Sequence, residues 1–409
     1  MSKQSKLLLP IIVISQFCCT SLWFAGNGVM SDLMVNFNLK SSALGHLTSA
    51  VQFGFILGTL IFAILTIADR FSPSKVFFTC ALLGSLFNIG VIWEGNSLAS
   101  ILFLRFITGF FLAGIYPVGM KIAADYYEKG LGKSLGFLVG ALVVGTAFPH
   151  LAKEMTGALP WKSVLVLTSF LGVLGGLLML TMVPNGPYRR PGNQLDLSAF
   201  FGVFRNQKFR SAAFGYFGHM WELYAFWAFV PIILNTYSME HPEAVFNIPL
   251  LSFLIIGIGG LACVLGGYLA QTLGTKRIAF IALLLSCGCC LVSPLLFATE
   301  SESLFIGFLI FWGMVVIADS PLFSTLVAQN VSAEIKGTAL TIVNCIGFSI
   351  TIVSIQLLNI LQTTMNPKYI YTILALGPIL GLIVLYEKNK QHLTAPTQKA
   401  GPRVPKTIL

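Results

Sequence analysis

Apolar windows of about 20 residues recur along the whole chain, and that is the length a helix needs to cross a bilayer core. Inside a bilayer every backbone N–H and C=O must be satisfied within the segment, so such windows fold as helices. Twelve spans are expected. The first six are Leu7–Met30, Ser42–Thr66, Lys75–Trp93, Leu98–Ala123, Gly132–Leu151 and Trp161–Val183. The second six are Phe209–Ile233, Pro249–Leu273, Arg277–Phe297, Glu302–Ala328, Gly337–Leu361 and Tyr369–Tyr386. Of 409 residues, 56% are hydrophobic and 10% charged, whereas a soluble domain carries roughly a quarter charged residues. The first window has no small-residue cleavage site behind it and reads as a retained helix, not a signal peptide.

The longest polar stretch inside the chain, Pro184–Phe209, separates six spans from six. The expected organisation is a six-helix unit over 1–183, a linker over 184–208, a second unit over 209–386 and a tail over 387–409. Lysine and arginine set the orientation. With the N-terminus in the cytoplasm, nineteen fall in inner loops, linker and tail, among them Arg70, Lys75, Lys276, Arg277 and Arg189. Only Lys40, Lys153, Lys162 and Lys368 fall outside. Both termini are therefore expected in the cytoplasm. The net charge of +10 is accounted for by topology and anionic-lipid contacts, with no case for nucleic acid. All eight cysteines fall inside apolar windows and read as small packing residues; neither metal nor cofactor is expected.

Ionisable residues within spans are costly and mark functional positions or pairs. The stretch GYFGHMWELYAFW, Gly215–Trp227, carries His219 and Glu222 near the middle of span seven. His219, Glu222 and Phe226 share one helical stripe, and Phe217, Trp221, Tyr224 and Ala228 another. A desolvated carboxylate beside an imidazole can exchange protons with it, so Glu222 is the candidate proton carrier and His219 its relay. The plain alternative is that Glu222 is locked to Arg105 or His219 as structure. Asp319 precedes Ser320 and Pro321 in span ten, where a proline frees carbonyls and bends the helix, and is a candidate second protonation or gating site. Arg105 in span four is a fixed cation suited to an anionic ligand. Gln16, Asn27, Gln52, Tyr116, Trp221, Tyr224 and Asn344 complete the candidate substrate contacts, helix–helix bonding being the plain alternative for each. Lys121 and Asp125, at i, i+4, are expected to pair on one helix face. His46 and His150 are placed near the outer surface as incidental.

Two stretches repeat between the halves. ADRFSPSK carries Asp69, Arg70 and Lys75 after span two; GGYLAQTLGTKR carries Gly267, Gln271, Gly274, Lys276 and Arg277 after span eight. Pro117 and Pro321 precede Gly132 and Gly337 by nearly equal distances. Here the chain resembles a major facilitator superfamily transporter. The family's loop signature is G-x-x-x-D-R-x-G-x-K/R-K/R. The second copy matches at Gly267, Gly274, Lys276 and Arg277, with Gln271 in place of the acid. The first keeps Asp69, Arg70 and Lys75, with Leu65 and Ser72 where glycines are expected. LRFITGFFLAG resembles the R-x-x-x-G motif at Arg105 and Gly109, which implies for Arg105 a part in proton coupling as the alternative to a solute contact. GFLVGALVVGTAFP, with Gly136, Gly140, Gly145 and Pro149, loosely resembles the antiporter motif without its Gly-Pro pair. Spans one, four and seven resemble bacterial members labelled nitrate or cyanate permeases, but spans two and eight lack the nitrate carriers' arginines.

The resemblance implies an all-helical membrane protein of two six-helix bundles rocking about a central cavity. Asp69 would hold the inner gate, with Arg70 and Lys75 anchoring its loop. The expected function is a proton-coupled carrier of a small organic solute, anionic or zwitterionic, working as a monomer in a bacterial-type inner membrane. A proton-driven drug or metabolite efflux antiporter is the alternative. A membrane enzyme lacks a nucleophile motif, a sensor lacks an output domain, and no ATP-binding loop is present.

Overall fold

The computed structural model describes residues 3–127, 131–157, 159–189, 202–332 and 335–386, without the side chains of 3–6 and 131–133. The orientation signals at Lys129, Arg190 and the tail lie outside the described residues. The membrane helices are numbered in order: α1 Lys3–Thr20, α2 Ala43–Ile64, α3 Pro73–Ile89, α4 Leu98–Tyr126, α5 Leu131–Thr156 and α6 Lys162–Met182. The second set is α7 Gln207–Glu240, α8 Ile248–Leu273, α9 Thr275–Phe297, α10 Glu302–Gln329, α11 Lys336–Thr364 and α12 Pro367–Tyr386. Among the described residues, eleven of these are long and apolar enough to cross a membrane.

The exception is the first. Instead of one helix over Leu7–Met30, α1 stops at Thr20, turns irregularly, and resumes as a 3-10 turn Asn27–Val29 and a short helix Met30–Asn36. Two other spans break in mid-course. α4 is interrupted at Ala113–Ile115 ahead of Pro117, and α10 at Asp319 ahead of Pro321. Proline lacks the N–H that would continue the helical ladder, so each break falls where the sequence withholds a donor. In α7, by contrast, Pro231 is carried inside an unbroken helix that runs to Glu240.

The two halves repeat in register. At one constant offset along the chain, Ser97 and Ser301 cap the starts of α4 and α10. At the same offset, Gly109 lies on the backbone of Val51 and Gly313 on that of Ile255. A side chain at either glycine would collide with a neighbouring carbonyl, so these are close approaches of α4 to α2 and of α10 to α8.

Two seams join the halves. Along α5 and α8, Gly140 and Gly260 meet so closely that a Cβ on either would sit 2.9 Å from the other's carbonyl oxygen. Leu254, Leu261, Leu265 and Leu269 project outward from α8 as an exposed stripe. The outer surface is thus leucine and the inner seam glycine, the arrangement lipid imposes. Along α2 and α11, Gln356 Nε2 donates to Gly45 O at 2.9 Å and to Ser49 Oγ at 2.8 Å, and Asn359 Nδ2 donates to Ser42 O at 3.1 Å. These bonds lie at the face opposite the one where α1 begins, called the far face below; the other is the start face. At the far face Lys153 also pairs with Asp32 at 2.8 Å and Lys368 with Glu240 at 3.0 Å. Lys162 hydrogen-bonds Glu94 there and holds its carboxyl below the usual range.

Candidate functional site

The ionisable residues of α7 and α10 converge inside the second half. α7 is the most enclosed of the described spans, and His219, Glu222 and Asp319 are each 1% exposed. Glu222 Oε1 accepts hydrogen bonds from Ser286 Oγ of α9 at 2.5 Å and from Trp312 Nε1 of α10 at 2.6 Å. Phe226, one turn on, stacks over the Trp312 ring at 4.4 Å and fixes its N–H toward the carboxylate. Glu222 is therefore held by neutral donors, and neither Arg105 nor His219 is its partner.

His219 instead faces Asp319, with Nδ1 2.8 Å from Oδ1. The contact is close without being aligned as a hydrogen bond, and His219 Nε2 and Asp319 Oδ2 have no partner among the described residues. Asp319 occupies the break in α10, where its carbonyl accepts the N–H groups of Leu322 and Phe323. The break that Pro321 enforces thus positions the carboxylate. Among the described residues no lysine or arginine pairs with Glu222 or Asp319.

Arg105 has a different setting from that expected. It points into the first half, where Nη1 donates to Asn88 Oδ1 at 2.8 Å and Nη2 to the carbonyls of Leu22 at 2.9 Å and Trp23 at 2.5 Å. Those carbonyls belong to the irregular turn after α1, which has no helical donors to offer them. Asn88 in turn donates to Ser169 Oγ at 2.9 Å and Thr168 Oγ1 at 3.2 Å of α6. The guanidinium holds the broken helix together.

The candidate substrate contacts separate. Asn27 donates to Thr48 Oγ1 at 2.9 Å, and Trp221 Nε1 donates to Ile373 O at 3.1 Å, packing on Gly377 of α12; both serve helix–helix bonding. Asn344 Oδ1 accepts from Tyr216 at 3.1 Å, joining α11 to α7. Gln16 and Gln52 are fully buried with amide atoms unpartnered, Gln16 lying against Gly119 of α4. Tyr116 opens the second segment of α4 and is half-buried. Tyr224 turns away from Trp221, stacks across the halves on Trp23 at 5.9 Å and lies tilted against Phe348 of its own half at 5.3 Å. His150, in the last turns of α5, is buried against neighbouring helices with Nε2 unpartnered among the described residues; His46 is exposed.

At the start face, Asp69 lies 2.7 Å from Lys121, whose distance to Asp125 is 3.9 Å. Lys121 therefore bridges the loop to α4 instead of serving only the expected i, i+4 pair. Arg70 Nε donates to Thr66 Oγ1 at 3.1 Å, and Thr66 takes a left-handed backbone at φ 50°. The start of the linker crosses this loop: Arg189 Nη2 donates to Asp69 O at 2.9 Å and Phe71 O at 2.8 Å, and Ser72 Oγ to Asn185 at 2.8 Å. Lys75 is exposed. Among the described residues no such strap crosses the second-half loop: Gln271 and Arg277 are exposed, Lys276 is half-buried, Gly267 has open space, and Gly274 at φ 91° turns α8 into α9. Ser286, Trp312 and Asn88 escaped the sequence reading. Asn88, a lone amide in an apolar span, was the one with a visible signal.

Three broken helices, a register-preserving repeat and ionisable groups buried between helices define a multi-pass membrane transporter and not an enzyme. The Major Facilitator Superfamily model matches residues 12–355, and the chain belongs to that family. It is similar to the efflux pump FUBT of Fusarium oxysporum, 26% identical over 39% of this chain and 28% of that protein. It is also similar to the putative uncharacterized transporter YgaY of Escherichia coli K12, 24% identical over 51% of this chain and 54% of that protein. The chain thus spans between about a quarter and a half of the length of these relatives. Among solved structures, the proton:xylose symporter XylE superimposes with TM-score 0.74 at 14% identity, covering 95% of this chain and 96% of that one. The human organic anion transporter MFSD10 gives TM-score 0.69 at 14% identity over 94% and 100%. At these identities both likenesses concern the fold.

Proposed function

We propose that this protein is a proton-coupled secondary carrier of a small organic solute, exposing the region between its halves alternately to the two sides of a cytoplasmic membrane. Both termini then lie in the cytoplasm, and the start face is the cytoplasmic one. The observation that carries the reading is the burial of His219, Glu222 and Asp319 in one half without a lysine or arginine partner. A purely structural carboxylate at this depth calls for a fixed cation, because an unpaired buried charge is among the most destabilising features a protein can hold. Carboxylates held by a serine, an indole and an imidazole can instead lose and regain charge in a cycle. Arg105, committed to the Leu22 and Trp23 carbonyls, does not supply the cation that an anionic solute would require.

The far-face bonds of Gln356 and Asn359 support a state closed on that side. Export by antiport is favoured as the direction by the aromatic lining between the halves and by similarity to efflux pumps. The test is Glu222→Gln in proteoliposomes. The variant should insert and fold, retain exchange of labelled for unlabelled solute, and lose accumulation driven by a pH gradient. Unchanged pH-driven accumulation would remove Glu222 from the coupling mechanism.

A further inference from the structure

Besides the two seams, the halves meet through a cluster of aromatic rings. From the first half come Trp23 and Phe55, 4.9 Å apart; from the second come Tyr224, Trp227 and Phe348. Trp23 stacks on Tyr224 at 5.9 Å and on Phe348 at 5.8 Å, Phe55 approaches Phe348 at 4.5 Å, and Tyr224 meets Trp227 at 5.3 Å. Trp23 and Trp227 stand at the same offset that relates Gly109 to Gly313, so the repeat places one indole in each half.

A plug that only had to exclude water would be made of phenylalanine and leucine. This cluster carries polar atoms that nothing satisfies. Among the described residues, the Nε1 donors of both Trp23 and Trp227 are buried without a partner, as are both amide atoms of Gln52. Gln52 lies one turn before Phe55, between the Thr48 position facing Asn27 of the first span and the Ser49 and Ile56 positions facing α11. It therefore belongs to the same interface. Buried donors left unmade are costly, and filling the positions with carbon would remove that cost. Their retention points to a ligand that satisfies them in another state of the cycle.

The charge of that ligand follows from what the cluster lacks. None of its side chains is ionisable near neutral pH. Arg105 reaches it only through the Trp23 carbonyl, and Glu222, two residues before Tyr224 and so about 200° around α7, faces Ser286 and Trp312. Resting on the carrier reading, we infer that the transported solute is an uncharged planar molecule bearing hydrogen-bond acceptors. It takes the place that the rings now give one another, with its acceptors on the two indole N–H groups and Gln52. α7 then presents solute on the Tyr224 and Trp227 face and the titrating groups on the His219 and Glu222 face.

The test uses three compounds sharing one ring system: neutral 2-naphthamide, anionic 2-naphthoate and cationic 2-naphthylmethylammonium. Calorimetric titration of the purified full-length protein should show saturable binding of the naphthamide, at least about tenfold tighter than either charged congener. Trp23→Phe and Trp227→Phe keep a ring and delete a donor, and each should weaken naphthamide binding about fivefold. Tighter or equal binding of a charged congener overturns the inference. So does absence of saturable naphthamide binding, or affinity unchanged in both tryptophan variants. The carrier reading fails separately, if the naphthamide binds with this profile yet vesicles show no flux of it.

Discussion

Nδ1 of His219 stands 2.8 Å from Oδ1 of Asp319, across from α7 to the break in α10, with both side chains almost wholly enclosed. Removing one partner leaves the other unaccompanied, and breaking a buried pair from one side costs about 3–5 kcal/mol. His219→Ala should therefore lower the melting temperature of the purified protein markedly. The double variant His219→Ala, Asp319→Asn should recover part of the loss, since the stranded charge is gone. A double-variant melting temperature equal to the sum of the two single effects would show that the pair is not coupled.

Arg105 should behave as a structural residue. Charge-assisted hydrogen bonds are worth about 1.5–3 kcal/mol each, and lysine cannot reproduce the planar fork that reaches Asn88 and two carbonyls. Arg105→Lys is expected to destabilise the protein by several degrees while leaving the charge preference of bound solutes unaltered. A selective loss of anion binding at undiminished melting temperature would return Arg105 to the solute site.

The glycine seam between α5 and α8 predicts a block in motion without a block in folding. Gly140→Val places carbon against the Gly260 carbonyl, and overpacking of this kind costs about 1–3 kcal/mol. That penalty falls on the state in which the seam is closed, so flux measured in vesicles should drop roughly tenfold or more, 1.4 kcal/mol corresponding to a factor of ten. Surface amounts of the variant should match wild type.

At the far face, a Cβ built on Gly45 would lie 2.9 Å from that of Asn359, closer than the about 3.5–4.5 Å a disulfide spans, so a slight parting of α2 and α11 brings the two into range. In a background without the eight native cysteines, Gly45→Cys with Asn359→Cys should cross-link under mild oxidation. Transport should then stop and return on reduction. Cross-linking with full activity would mean that this face does not open.

Much of the architecture was written locally. Most span positions, the bend at Pro321, and the depth of Arg105, His219, Glu222 and Asp319 follow from apolar runs and from what proline lacks, whereas the break ahead of Pro117 was not read there. Pairing was not written there. His219 and Glu222 sit three apart and look like partners because helical periodicity describes only its own helix; the true neighbours, Asp319, Ser286 and Trp312, come from other helices. Trp221 and Tyr224 diverge for the same reason, α12 claiming one and the first half the other. The turn after Thr20 was read as continuous helix because the group that stabilises it, the Arg105 guanidinium, lies more than eighty residues away.

The guanidinium of Arg105 is held by carbonyls and an amide, with no carboxylate among its described partners. Its positive charge is therefore not cancelled within the first half. Membrane voltage acts on such a charge directly, at about 2.3 kcal/mol for each full charge moved through 100 mV. A rocking motion that carries it through a tenth of the field shifts the balance between the two conformations by about 0.2 kcal/mol at that voltage. A clasp that keeps a broken helix in shape thus also makes the resting posture of this half depend on the electrical state of the cell.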